Sequence, residues 1–263
     1  MAHGHTGLVQ PDESENAKPP ILFLHSVFGT PALMEAWTQF FGAAGFECHA
    51  PAMPGREPTR DDVLARTGIG ECFDVALAAY DGLNAPPIVI GHSMGGLLAQ
   101  KIAAARTPRA AVLLASVPPG ILWPQFNALP YLLPVLPRVL AGRPFHPSAK
   151  TMREVPLNTL SPPEQDELIP QLVRDSGRVF RELSMGSSST RVNAADVSCP
   201  VLNVSGGSDR NVAQWISRRI AALYNAEHQV HPGLPHWIVA TSLLDTVAPP
   251  VLHWLNRTLR LGA

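Results

Sequence analysis

Residues Gly91 to Gly95 read GHSMG. A single serine, Ser93, stands with glycine two residues away on either side. The apolar run Ile88 to Ile90 precedes it and an Ala/Leu-rich stretch follows. A buried hydroxyl must find a partner, so an apolar setting is an unusual place for an idle serine. The pattern G-x-S-x-G between strand and helix suits a nucleophile held on a sharp, strained turn. Neighbouring backbone crowds such a turn, and side chains at the glycine positions would clash. The helix that follows brings free N–H groups beneath any negative charge that develops on a substrate oxygen. The plainer alternative is a glycine-bounded turn with an incidental serine. The elements on either side favour the nucleophile.

Those elements alternate. "ILFLH" (Ile21 to His25) is a short apolar run, the mark of a strand buried on both faces. "ALMEAWTQFFGAAG" has helical spacing and stops at Gly45. "FECHAPAMPG" reads as a strand running into a Pro/Gly turn. Arg60 to Leu83 is helical, loosened near Gly68 and Gly70. Pro86-Pro87 opens the strand that leads to Ser93, Gly95 to Arg106 is a helix, and Ala110 to Ser116 is another buried strand. Strand–helix alternation of this kind implies parallel strands joined by right-handed crossovers. The expected class is α/β, a mostly parallel sheet flanked by helices, with a helical cap.

The cap is expected where the rhythm breaks. Prolines crowd Pro118 to Pro147 although the segment is strongly apolar. Ser161, Pro162 and Glu164 fit an N-cap, a first helical position and a capping carboxylate. Pro170 kinks or splits that helix, and Gly186 to Arg191 reads as a linker. The rhythm resumes at Pro200, and the tail from Ser242 to Leu259 is helical apart from Pro249-Pro250. The division is a flexible lead-in at 1–20, a core at 21–120 and 196–263, and a helical cap at 121–195.

Composition removes several classes. The 263 residues are 46% apolar and 16% charged with net charge -1, a globular balance with no basic excess, so no nucleic-acid partner is expected. Three cysteines without a CxxC pair argue against a disulfide framework or zinc site and fit a reducing, cytoplasmic compartment. The polar first residues do not form a signal peptide, and no stretch is apolar for long enough to make a transmembrane segment. Neither H-E-x-x-H nor a glycine-rich nucleotide loop occurs, so neither metal nor other cofactor is expected. The expected partner is a small-molecule substrate, with a homodimer left open.

"GHSMGG" after an apolar strand resembles the nucleophile elbow of the α/β-hydrolase superfamily, and the resemblance runs from about Pro20 to Leu259. "LHSVFG" resembles that family's H-G-x-x-G oxyanion loop, with Ser26 where glycine is usual. "APAMPGRE" resembles its P-x-x-P-G turn. The resemblance implies the chain order serine, acid, histidine. It points to Asp209, in a loop between strand and helix, although an aspartate there is also a common helix cap. Asp245 comes too late, and "ASVPPG" after the preceding strand holds no carboxylate. His236, in "PGLPHW", resembles the catalytic-histidine loop, with His231 as the competitor. His25 and His92 flank functional loops and are read as hydrogen-bonding supports. The implied oxyanion donors are the backbone N–H groups of Val27 and Met94.

In the cap, Trp123, Phe126, Tyr131 and Leu133 are candidates to line a substrate pocket with Phe28 and Trp237. The alternative is that they pack the cap onto the core. A lipase whose lid opens at a lipid surface is a further alternative, although no exposed amphipathic signature stands out in the sequence for it. The implied function is a serine hydrolase that cleaves an ester of an apolar or aromatic small molecule through an acyl-enzyme. A lactonase, thioesterase, amidase, C–C hydrolase, acyl transferase or cofactor-free perhydrolase would use the same groups. A non-catalytic ligand-binding member of the fold is the more distant alternative.

Overall fold

The computed structural model describes residues 18–56 and 60–261. Most of the expected lead-in, residues 1–17, lies outside the described residues. Six strands form one sheet: β1 (Ile21–Leu24), β2 (Cys48–His49), β3 (Ile88–His92), β4 (Ala110–Leu114), β5 (Val201–Gly206) and β6 (Glu227–His231). Their order is β2-β1-β3-β4-β5-β6 and every pairing is parallel. The class is α/β, as expected.

Four strands are buried along their whole length, and β3, which ends at the serine, is one of them. Alternate residues serve opposite faces. Ile21, Phe23, Ile88, Ile90, Val112 and Val204 join one apolar cluster, and Leu22, Leu24, Val89, Ala111 and Leu113 join the other. The first face is covered by α1 (Glu35–Ala43) and later by the C-terminal helix. The second is covered by α3 (Ile69–Asp81), which follows the single turn α2 (Asp61–Leu64), and by α4 (Met94–Ala105). Between β4 and β5 lie short helices: α5 (Leu129–Leu132), α6 (Leu136–Leu140), α7 (Ala149–Glu154), α8 (Pro162–Leu168) and α9 (Gly177–Met185). α10 (Gln214–Leu223) follows β5, and α11 (Leu244–Leu259) closes the chain.

Three expectations need correction. The second strand is only two residues long, because Pro51 and Pro54 supply no ladder donors. The Gly186 to Arg191 stretch is packed as well as polar. Ser188–Thr190 form a 3-10 turn, Thr190 is buried, and its carbonyl accepts the Gly120 N–H at 2.9 Å. The Thr190 hydroxyl accepts the Ser187 N–H and donates to the Ser187 carbonyl, both at 3.0 Å, so a packed segment has the composition of a linker. Pro249 and Pro250 lie inside α11 without ending it. Burial of Val247, Ala248, Val251, Trp254 and Leu255 outweighs the two lost helix donors. By contrast, α8 is read correctly. The Ser161 N–H donates to Glu164 Oε2 at 2.6 Å, and the helix passes into a 3-10 turn around Pro170.

Candidate active site

β3 ends at His92 and α4 begins at Met94, so Ser93 is the whole turn. Its backbone sits at φ 55° and ψ -113°, a strained conformation for a residue with a side chain. The turn is tied to the neighbouring strand, since Ser93 N–H donates to Leu114 O at 2.9 Å and Val117 N–H donates to Ser93 O at 3.1 Å. Both flanking glycines are sterically required. A Cβ on Gly91 would collide with the Gly95 carbonyl, and one on Gly95 would collide with the Leu24 carbonyl.

Two loops from the same end of the sheet meet this turn. After β6, His236 brings Nε2 to 2.9 Å from Ser93 Oγ. After β5, Asp209 places Oδ2 2.8 Å from His236 Nδ1. All three residues are buried, at 3%, 6% and 2% exposure for Ser93, Asp209 and His236. The other oxygen of Asp209 accepts the N–H groups of Asn211 (2.7 Å) and Val212 (2.8 Å). The capping role weighed for this aspartate is therefore present together with the pairing to His236. His231 is the last residue of β6 and joins no hydrogen bond to Ser93 or Asp209. His228 lies 2.9 Å from Ser205 Oγ.

The supporting histidines are neutral. Burial, and after it the charge of Arg56, lowers His25 to about 3. His25 Nδ1–H then donates to Ser26 O at 2.9 Å, while Nε2 accepts the Met53 N–H at 3.2 Å. Burial, and after it His236, lowers His92 to about 3. His92 Nε2–H donates to His236 O at 3.0 Å and so fixes the backbone of the histidine facing the serine.

The loop after β1 carries its strain at Phe28, with φ 59°; Ser26 is not among the residues with positive φ. A serine is therefore tolerated at position 26 without backbone cost. The Phe28 N–H is already engaged, donating to Asp175 Oδ2 at 2.7 Å. Neither Val27 N–H nor Met94 N–H donates to a protein group among the described residues. Those two are the donors the sequence singled out.

A cavity of about 110 Å³ opens on Ser93 and His236. Phe28 and Trp237 line it, and Phe28 packs against Phe145 and Phe180 with ring centroids 5.3 and 5.0 Å away. Trp123, Phe126, Tyr131 and Leu133 do not line it. Trp123, Phe126 and Leu133 are 62%, 92% and 60% exposed. Their neighbours Leu122, Gln125 and Leu132 face the cavity instead. The segment is broken into turns of three to five residues, so no sustained period marks its inner face. A wider groove of about 400 Å³ between α1 and α8 contains neither Ser93 nor His236.

Sequence reading missed two features. Arg56 and Asp175 form a buried, two-pronged ion pair, with Nε–Oδ2 and Nη2–Oδ1 both 3.1 Å. The segment between β4 and β5 is also stitched to the acid loop. Gln125 Nε2 donates to Asp209 O (2.8 Å), Asn158 Nδ2 to Ser208 O (3.0 Å) and Arg210 Nη1 to Glu154 O (2.8 Å). Among the described residues no cluster of three or more His, Cys, Asp or Glu side chains could hold a metal ion. Chemically, the site offers a hydroxyl, an imidazole in contact with it, and the carboxyl group of Asp209 behind the imidazole.

Known proteins share this frame. A model of the alpha/beta hydrolase family matches residues 21–248. The chain belongs to the alpha/beta hydrolase family. Among solved structures, this alpha/beta hydrolase is similar to a monoacylglycerol lipase of Paleococcus ferrophilus, with TM-score 0.70 and 20% identity over 91% of this chain and 96% of that one. It is similar to a methylesterase from Arabidopsis, with TM-score 0.68 and 16% identity over 90% and 98% of the two chains. It is similar also to the thioesterase domain from the curacin biosynthetic pathway, with TM-score 0.63 and 18% identity over 89% and 91%. At these identities the likeness is one of fold. No curated protein sequence matches the chain. Among the described residues, no helix is long and apolar enough to cross a membrane.

Proposed function

We propose that this alpha/beta hydrolase is a serine esterase acting on small apolar esters through an acyl-enzyme. The observation that carries the reading is the continuous chain from Ser93 Oγ to His236 Nε2 (2.9 Å) and from His236 Nδ1 to Asp209 Oδ2 (2.8 Å). In the proposed reaction His236 takes the Ser93 proton as the oxygen attacks the substrate carbonyl carbon. Asp209 holds the imidazole in the tautomer that can accept that proton and offsets the charge it acquires. The tetrahedral oxyanion takes hydrogen bonds from Val27 and Met94 N–H, each worth roughly 3 kcal/mol of barrier. His236 returns its proton to the departing alcohol, then activates the water that releases the acid.

The cavity limits the acyl group. At about 110 Å³ it is smaller than the cavity of about 150 Å³ that encloses a benzene. A short aliphatic acyl group fits that limit better than an aromatic one. Residues 121–195 are proposed as the cap that excludes water from this space, held on the acid loop by Gln125 and Asn158. The three free cysteines fit a reducing compartment.

Two measurements on one sample test the proposal. A fluorophosphonate probe should label Ser93 stoichiometrically, and a panel of p-nitrophenyl esters should show highest kcat/KM for short apolar acyl groups. Ser93→Ala should abolish labelling and lower turnover by about 10⁴-fold or more. Unchanged turnover in that variant would overturn the reading. Preference for lactones or thioesters would keep the three residues and replace the substrate class.

A further inference from the structure

The large apolar side chains that face solvent are not scattered. Eight of the ten such residues among the described residues fall in just two segments, 121–140 and 215–223. Trp123 and Trp215, 62% and 51% exposed, stand side by side as shared walls of two adjoining grooves. Ile121 and Leu223 complete one groove, and Phe126 the other, 92% exposed. Contiguous exposure of this kind, with two indoles and a fully exposed phenyl ring, marks an interaction surface.

Charge says what it meets. No aspartate or glutamate occurs anywhere from residue 82 to 153, nor from 210 to 226. Both segments that build the face therefore lack acids, while Arg138, Arg143, Arg218 and Arg219 lie within or beside them. Arg219 walls one of the two grooves. An apolar face with tryptophans at its centre, one arginine in its wall and no acid in the segments that build it has the chemistry of a peripheral membrane contact.

We infer that this face docks the protein on a lipid surface of net negative charge. The tryptophans and Phe126 enter the headgroup boundary and Arg219 meets anionic lipids. The face also adjoins the site. Pro124 and Gln125 wall both the Phe126 groove and the cavity over Ser93, and Gln125 bonds the Asp209 carbonyl. An apolar ester leaving the lipid would reach Ser93 without crossing bulk water. That last step rests on the esterase reading; the docking itself does not.

The test is flotation of the full chain with vesicles of phosphatidylglycerol or of phosphatidylcholine, with fluorophosphonate labelling of Ser93 measured on the same preparations. Wild type should float with the anionic vesicles and much less with the zwitterionic ones. Phe126→Glu, at a fully exposed position outside the cavity, should weaken flotation about tenfold or more. Arg219→Glu should lower the anionic preference about fivefold or more. Labelling should stay at the wild-type level in both variants, which shows that they remain folded. Absence of flotation at either composition, or equal flotation of Phe126→Glu and wild type, overturns the docking. So does sedimentation showing a dimer that Phe126→Glu dissociates, because a second copy then covers the face. Labelling that fails while flotation persists would sink the esterase reading alone.

Discussion

The Phe28 N–H donates to Asp175 Oδ2 at 2.7 Å, although the two residues are 147 positions apart. Asp175 fastens the loop after β1 to the segment between β4 and β5, beside the Val173 N–H, which donates to Phe28 O at 3.0 Å. Its other contacts are Arg56, through both oxygens, and the Ser176 N–H at 2.6 Å. Arg56 in turn reaches the Met94 sulfur at 3.6 Å. One buried ion pair thus braces both loops that carry the proposed oxyanion donors, Val27 and Met94.

Asp175→Ala should therefore act on stability and on rate. Removing one member strands a guanidinium that is fully buried, at a cost of about 3–5 kcal/mol in urea unfolding. Replacing both residues, as Arg56→Met with Asp175→Leu, should restore most of that stability. Turnover should not return, since Phe28 N–H then lacks its acceptor and the strained loop keeps only the Val173 N–H bond to its carbonyl, at 3.0 Å. Full recovery of kcat in the double variant would show that the pair has no positioning role.

Asp209→Asn should keep the fold and lose the reaction. An amide in this place can still accept the Asn211 and Val212 N–H groups through its oxygen, so the loop survives. Its NH₂ then faces His236 Nδ1 and favours the tautomer with the proton on Nε2, which cannot accept the Ser93 proton. The expected loss in kcat is about 10⁴-fold with a small change in thermal midpoint. A loss below tenfold would reassign Asp209 to the capping role alone.

The elbow was legible in the sequence because its requirement is local. Gly91, Ser93 and Gly95 interact through backbone within a single turn, and the buried strands around them are short apolar runs. Asp209 and His236 were singled out only by the resemblance to the α/β-hydrolase chain order and loops, not by any local requirement of their own. Arg56 and Asp175 left no such mark. They are 119 residues apart, and each alone reads as an ordinary surface charge. The inner face of residues 121–133 was illegible for a different reason. Its prolines cut it into pieces shorter than two helical turns, so neighbours such as Leu122 and Trp123 point opposite ways with no period to tell them apart.

Gly95→Ala should prevent folding to the native state. The added methyl group would overlap the Leu24 carbonyl, which belongs to a fully buried central strand and cannot withdraw. Gly42→Ala is the control, since nothing lies within 4 Å of the position its Cβ would take. Gly42 lies inside α1, so that change should raise stability by roughly 0.5–1 kcal/mol. Circular dichroism and thermal melts of the two variants separate the cases, and a native-like melt for Gly95→Ala would refute the packing.

Acid should unfold the protein earlier than its carboxylates alone require. His25 and His92 are lowered to about 3 in the folded chain, while the unfolded chain binds those protons near the ordinary value of about 6.5. Between those values the unfolded state takes up protons that the native state refuses, so stability falls as pH drops from about 6.5 towards 3. Above about 6.5 both states are neutral at these positions and the contribution is flat. Each histidine adds a slope of about 1.4 kcal/mol per pH unit in that window. His228 and His231, also lowered by burial, add in the same direction. His92→Gln keeps a donor for the His236 carbonyl and cannot titrate. Urea unfolding from pH 4 to 8 should show its slope reduced by one histidine's share, with activity at pH 8 largely retained. Identical slopes for this variant and wild type would mean that His92 is protonated in the native state, contrary to its burial.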